Sequence, residues 1–91
     1  MKVTEIERNP FEGSLDIDWG NDYENTHRAV IKDKDFNCST NCYDYDLISF
    51  AEWNEDDFSF VSIEPDQKQM KAIDRAMKSK RVIREIESDD F

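Results

Sequence analysis

The chain has 91 residues, 22 of them acidic and 12 basic, and a net charge of −10 at neutral pH. A chain this short is one domain that buries only about 60% of its unfolded surface. It contains no run near the ~20 apolar residues of a membrane span, and its charge disfavours contact with bare nucleic acid or anionic lipid. Hydrophobic residues make up 37% of the chain, yet it holds six Phe, three Tyr and two Trp. A disordered acidic chain is poor in aromatics, so the composition implies a thin core built on aromatic and β-branched side chains.

The segment from Met1 to Gly13 is weakly patterned. Val3 and Ile6 can pack, and Asn9-Pro10 suggests a turn. Glu5 and Glu7 stand where a secretory leader would be apolar, so the expected location is cytoplasmic. Cys38 and Cys42 are then expected as reduced thiols. Leu15, Ile17 and Trp19 alternate with Asp16 and Asp18, which predicts a half-buried strand with carboxylates on its wet face. Turn residues Gly20-Asn21-Asp22 follow, and Thr26 to Lys32 reads as the second strand of a hairpin.

Asp33 to Asn41 is polar and reads as a loop. Asp46 can cap a short helix holding Leu47, Phe50 and Ala51, with Trp53 near its end. The rival reading puts Tyr43, Tyr45 and Leu47 on one face of a strand. Phe58 to Ile63 is the strongest strand signal, closed by Pro65. Asp66 and Gln69 have capping-box spacing, and residues 67–86 contain no Gly or Pro. Met70, Ile73 and Met77 share a face, whereas Val82, Ile83 and Ile86 lie about 120–220° away around a straight helix. The helix therefore bends near Ser79, or the second cluster meets another surface.

The predicted fold is α+β: an antiparallel sheet from 14–19, 26–32 and 58–63, packed by one long C-terminal helix over 66–87. Residues 14–63 form an acidic, mainly β body within the single domain 1–91. Charge divides along the same line. Residues 1–67 carry 17 acidic and 5 basic residues, and residues 68–87 carry 3 acidic and 7 basic. The helix is thus basic and the body acidic. Lys68, Lys71, Arg75 and Lys78 either lie over the body or form an interaction arm. Val82, Ile83 and Ile86 are expected at an interface, in a homodimer.

No motif marks catalysis. Asp16-x-Asp18-x-Gly20-x-Asp22-x-Glu24 has Asn21 and His27 where a calcium loop needs Gly and Glu. Cys38 and Cys42 with the single His27 fall short of a zinc ligand set. Asn37-Cys38-Ser39 matches a glycosylation sequon without a secretory context. Two glycines leave no phosphate-cradling loop. The expectation is a non-enzyme with no cofactor and no metal.

The remaining candidate is an acidic–aromatic stretch. Asp44, Asp46, Glu52, Trp53, Glu55, Asp56 and Asp57 set carboxylates among aromatics, which suits a basic protein partner. Spaced carboxylates can imitate the charge run of nucleic-acid phosphates. In general character (short, acidic, aromatic-rich) the chain resembles phage and mobile-element inhibitors that mimic DNA. That resemblance implies an anti-defence role against a partner that normally binds nucleic acid. The alternative expectation is an immunity protein or antitoxin neutralising a basic toxin enzyme.

Overall fold

A computed structural model describes residues 2–20 and 25–88. Five strands run in chain order and each pairs antiparallel with the next: β1 (Lys2–Asn9), β2 (Ser14–Gly20), β3 (Asn25–Asn37), β4 (Cys42–Asn54) and β5 (Ser59–Ser62). Two helices follow, α1 (Gln67–Met77) and α2 (Lys80–Glu87). The α+β class expected from the period-two runs is observed, with two strands more than were anticipated.

The core lies between one sheet face and both helices. Leu15, Ile17 and Trp19 of β2 are at most 1% exposed, and Ala29, Ile31 and Phe50 flank them. Ile73, Ala76 and Met77 of α1 and Val82 and Ile86 of α2 close over this layer. Val3, Ile6, Tyr43, Tyr45, Leu47 and Ile63 pack at its margin. The Tyr45 hydroxyl donates to the Asp74 carboxylate, tying β4 to α1. Burial, with that carboxylate alongside, pushes the Tyr45 phenol well above its ordinary pKa.

The single long helix is corrected to two. Asp66 and Gln69 do form a capping box at the start of α1. The helix then stops after Met77, and Ser79 leaves the helical conformation with ψ at 147°. Its hydroxyl accepts from the Val82 N–H at 3.3 Å and donates to the Ala76 carbonyl at 2.6 Å. One side chain thus ends α1 and caps α2. The break turns Val82 and Ile86, assigned above to an interface, into the chain's own core, where they are 0% and 7% exposed. Ile83 is half-buried. The reason for placing an interface there, a straight helix carrying them off the sheet, does not hold.

The expected helix after Asp46 is also corrected, because β4 continues to Asn54. Ser49 pairs with Val30 and Leu47 with Ile31, so Ile48 is the extra residue of a β-bulge. The bulge brings Leu47 and Phe50, three apart, to the same face, a spacing that imitates a helix. Asp33 to Asn37 extends β3 instead of forming a loop, with only 38–41 in the turn. The weakly patterned N-terminus is strand β1, again bulged, at Thr4, whose hydroxyl donates to the Asp18 carbonyl at 3.2 Å. The strand expected at 58–63 is shorter, since Phe58 takes a left-handed φ of 50°. Asn21 and Asp22, expected in the first hairpin turn, lie outside the described residues.

Among the described residues no helix is long and apolar enough to cross a membrane. Cys38 is exposed and Cys42 buried, and both are free thiols.

Ile86→Ala should cost about 2–5 kcal/mol in chemical denaturation, as buried Ile truncations do, and Ile83→Ala less than half as much. Equal costs at the two positions would mean that α2 is turned otherwise than described.

Candidate binding surface on the open sheet face

With both helices on one side, the opposite sheet face is uncovered among the described residues. Its composition follows from strand alternation and register. One row crosses the strands as Glu5, Asp18, Arg28, Ala51 and Ser62, and the next as Glu7, Asp16, Val30 and Ser49. Trp53 pairs with Phe60 beside the β4–β5 turn. The face is therefore acidic on β1 and β2, and aromatic and small on β4 and β5.

Arg28 joins the two halves. Its Nε donates to Asp18 Oδ1 at 2.7 Å and one terminal nitrogen to Oδ2 at 3.1 Å. Its guanidinium carbon lies 4.4 Å from the centre of the Phe60 ring, which meets Trp53 edge-on at 5.3 Å. Asp18 is only 4% exposed, so the guanidinium replaces the water its carboxylate has lost. The hydrogen bond to Asp18 also raises the Arg28 pKa, securing its charge.

Away from this ion pair the carboxylates of β1 and β2 crowd one another. Glu5 faces Asp18 and Glu7 faces Asp16 directly across β1 and β2. Like charges at such positions destabilise a sheet. The Asp16 pKa is raised, first by desolvation and then by Asp18, Glu7 and Glu12, against the opposing pull of Arg28. Lys32, the next cation on this face of β3, extends toward the β1–β2 turn, its Cε 4.0 Å from the position of a Cβ on Gly13.

The seven residues singled out from the sequence do not form one patch. Asp44 and Asp46 sit at one end of the open face, where Asn37 donates to Asp44 at 3.3 Å and Lys34 pairs with Asp46 at 3.0 Å. Trp53 lies near the other end, seven residues along β4, or roughly 20 Å. Glu52 points to the helix side, 3.9 Å from His27. His27 stacks on Phe50 at 5.7 Å and is a core-margin residue. Glu55, Asp56 and Asp57 occupy the exposed β4–β5 turn, where the Asn54 side chain accepts from the Asp56 N–H at 2.9 Å. Phe58, next in that turn, is 79% exposed.

Sequence reasoning placed Asp16 and Asp18 on a wet face but missed Glu5, Glu7 and Arg28 as their neighbours. The signal was the matching i, i+2 spacing of Glu5/Glu7 and Asp16/Asp18, which an antiparallel register sets side by side. Among the described residues no three His, Cys, Asp or Glu side chains are placed to hold a metal ion.

The helix side carries the opposite charge. Lys68, Lys71, Arg75, Lys78, Lys80, Arg81 and Arg84 are all exposed. Among the described residues none of them forms an ion pair with the acidic body. An open groove of about 440 Å³ on α1 is lined by Asp66, Lys68, Gln69, Lys71, Ala72 and Arg75.

Removing a like-charge pair should stabilise the sheet, so Asp16→Asn should gain about 0.2–1 kcal/mol at pH 7. A carboxyl whose pKa is raised on folding favours the folded state at low pH and loses that contribution as pH rises through its folded value. The gain from Asp16→Asn should therefore shrink as pH falls and vanish below the ordinary aspartate value of 3.8. Arg28→Met should instead cost about 1.5–3 kcal/mol, the range for a lost charged hydrogen bond. Denaturant titrations from pH 3 to 7 check both, and a pH-independent Asp16→Asn effect would contradict the assignment.

No protein-family model, curated protein or solved structure matches the chain.

Proposed function

We propose that the protein acts by binding, as an acidic inhibitor of a nucleic-acid-binding protein, whose basic cleft it occupies in place of nucleic acid. The observation that carries this reading is the uncovered sheet face, where four carboxylates stand in opposed pairs and the Glu7–Asp16 pair does so at a cost to the fold. A surface kept only for solubility has no reason to set acids directly opposite one another; spreading them avoids the repulsion. Unfavourable local arrangements concentrate where function needs them.

The β4–β5 turn supports the same reading. Phe58 is exposed and left-handed, a conformation uncommon for a bulky residue, and follows Glu55, Asp56 and Asp57 directly. An exposed aromatic beside acids is an anchor set among steering charges. Trp53 and Phe60 continue the aromatic surface from this turn onto the sheet face.

The partner is a basic protein and not nucleic acid itself, given the charge of −10. The function needs neither cofactor nor catalytic group.

Binding to the basic partner should weaken steeply with salt, because the Debye length falls from about 10 Å at 0.1 M to about 3 Å at 1 M. Excess duplex DNA should compete. Glu55→Gln, Asp56→Asn and Asp57→Asn together should lower affinity mainly through the association rate, with the fold unchanged. Phe58→Gly should leave or raise stability by relieving the left-handed φ, yet speed dissociation. Salt-insensitive binding that survives the triple change would defeat the proposal and make the acidic surface a solubility device.

A further inference from the structure

We propose that the uncovered sheet face selects arginine over lysine, docking an arginine-rich segment of the partner across the β1–β2 carboxylates and the Trp53–Phe60 platform. This rests on the acidic-inhibitor reading and goes beyond it by naming the surface and the side chain it takes.

The face already holds one guanidinium in the proposed manner. Arg28 is gripped by both oxygens of Asp18 while its guanidinium carbon lies over the Phe60 ring. Two recognition elements act on one group: a carboxylate that matches the guanidinium fork, and an aromatic face that accepts its flat, weakly hydrated surface. Lysine satisfies the first as a point charge and profits less from the second. Elsewhere on the surface the two ingredients lie apart, carboxylates on β1 and β2 and the Trp53 ring on β4, so that successive side chains of one docked segment meet them in turn. Glu5, Glu7 and Asp16 are acceptors on the same two strands. Successive carboxylates on one strand are about 6.8 Å apart, and opposed ones about 5 Å. Incoming guanidinium groups can therefore bridge Glu7 with Asp16 and pair with the exposed Glu5, while Asp18 stays with Arg28.

Charge complementarity fixes the class of occupant. Lys2, Arg28 and Lys32 are the cations set among five carboxylates, Glu5, Glu7, Glu12, Asp16 and Asp18. The surface is acidic on balance, and half-buried Val30, Ala51, Trp53 and Phe60 adjoin it. No three of these carboxylates converge on a metal-sized site among the described residues. A basic protein segment with planar charged heads matches an acidic field beside an aromatic platform, whereas a bare cation uses only the first.

The test compares nona-arginine and nona-lysine peptides of equal charge, titrated calorimetrically into the full chain at low salt. Nona-arginine should bind about tenfold more tightly, through stacking added to equal Coulomb attraction. Glu7→Gln with Asp16→Asn should weaken both peptides, and this pair of changes relieves repulsion, so folding is not at stake. Trp53→Ala should erase the arginine preference while leaving salt-dependent binding. Equal affinity for the two peptides would overturn this inference and leave the acidic-inhibitor reading intact. A preference that survives Trp53→Ala and the Glu7/Asp16 changes but vanishes on neutralising residues 55–57 would overturn the location. If neither peptide bound at low salt, both the inference and the functional reading would fall.

Discussion

The column Leu15, Ile17 and Trp19 on β2 is the contact on which the molecule depends. These side chains have almost no exposure, and every other core residue is arranged around them. In this chain with 37% hydrophobic residues, the described core covers one face of the five-stranded sheet. Both helices are spent on that face. Ser79 makes the arrangement possible, because breaking the helix lets two apolar clusters on different sides of a straight rod enter the same core. The open face is thus a consequence of where the scarce apolar surface had to go.

What stands on that open face is held by one residue with two partners. Arg28 neutralises a buried carboxylate and covers an aromatic ring, so the acidic strands and the aromatic strands are mechanically joined. Around it the sheet tolerates opposed acids that a fold selected for stability alone would have spread apart. The functional proposal draws on this conflict between local electrostatics and fold stability, and the β4–β5 turn, with a left-handed phenylalanine, shows a second conflict nearby.

The sequence was legible where alternation ran without interruption. The hairpin of Leu15–Trp19 with His27–Ile31 and the capping box at Asp66 and Gln69 are local signals, and each is observed. Bulges hid the rest. At Thr4 and Ile48 an extra residue moves the apolar positions from two apart to three, so Val3/Ile6 and Leu47/Phe50 lose the strand period. The polar residues 33–37 gave no strand signal because their pairing with β4 comes from the partner strand. The acidic surface suffered likewise. Residues 44–57 are contiguous in the chain but divide between two faces and two ends of the sheet, whereas Glu5, Glu7, Asp16 and Asp18 become neighbours only through register.

The opposed charging of the two layers gives the molecule a permanent electric dipole in addition to its net charge. Seven outward cations lie on the helix side, and the uncompensated carboxylates lie on the sheet side. In the field of a basic cleft such a body feels a torque as well as an attraction, so it turns sheet-first while still separated by solvent. The same polarity discourages two copies from meeting sheet to sheet. Under the proposed function, orientation before contact follows from placing the basic residues on the far side instead of using them to neutralise the acids.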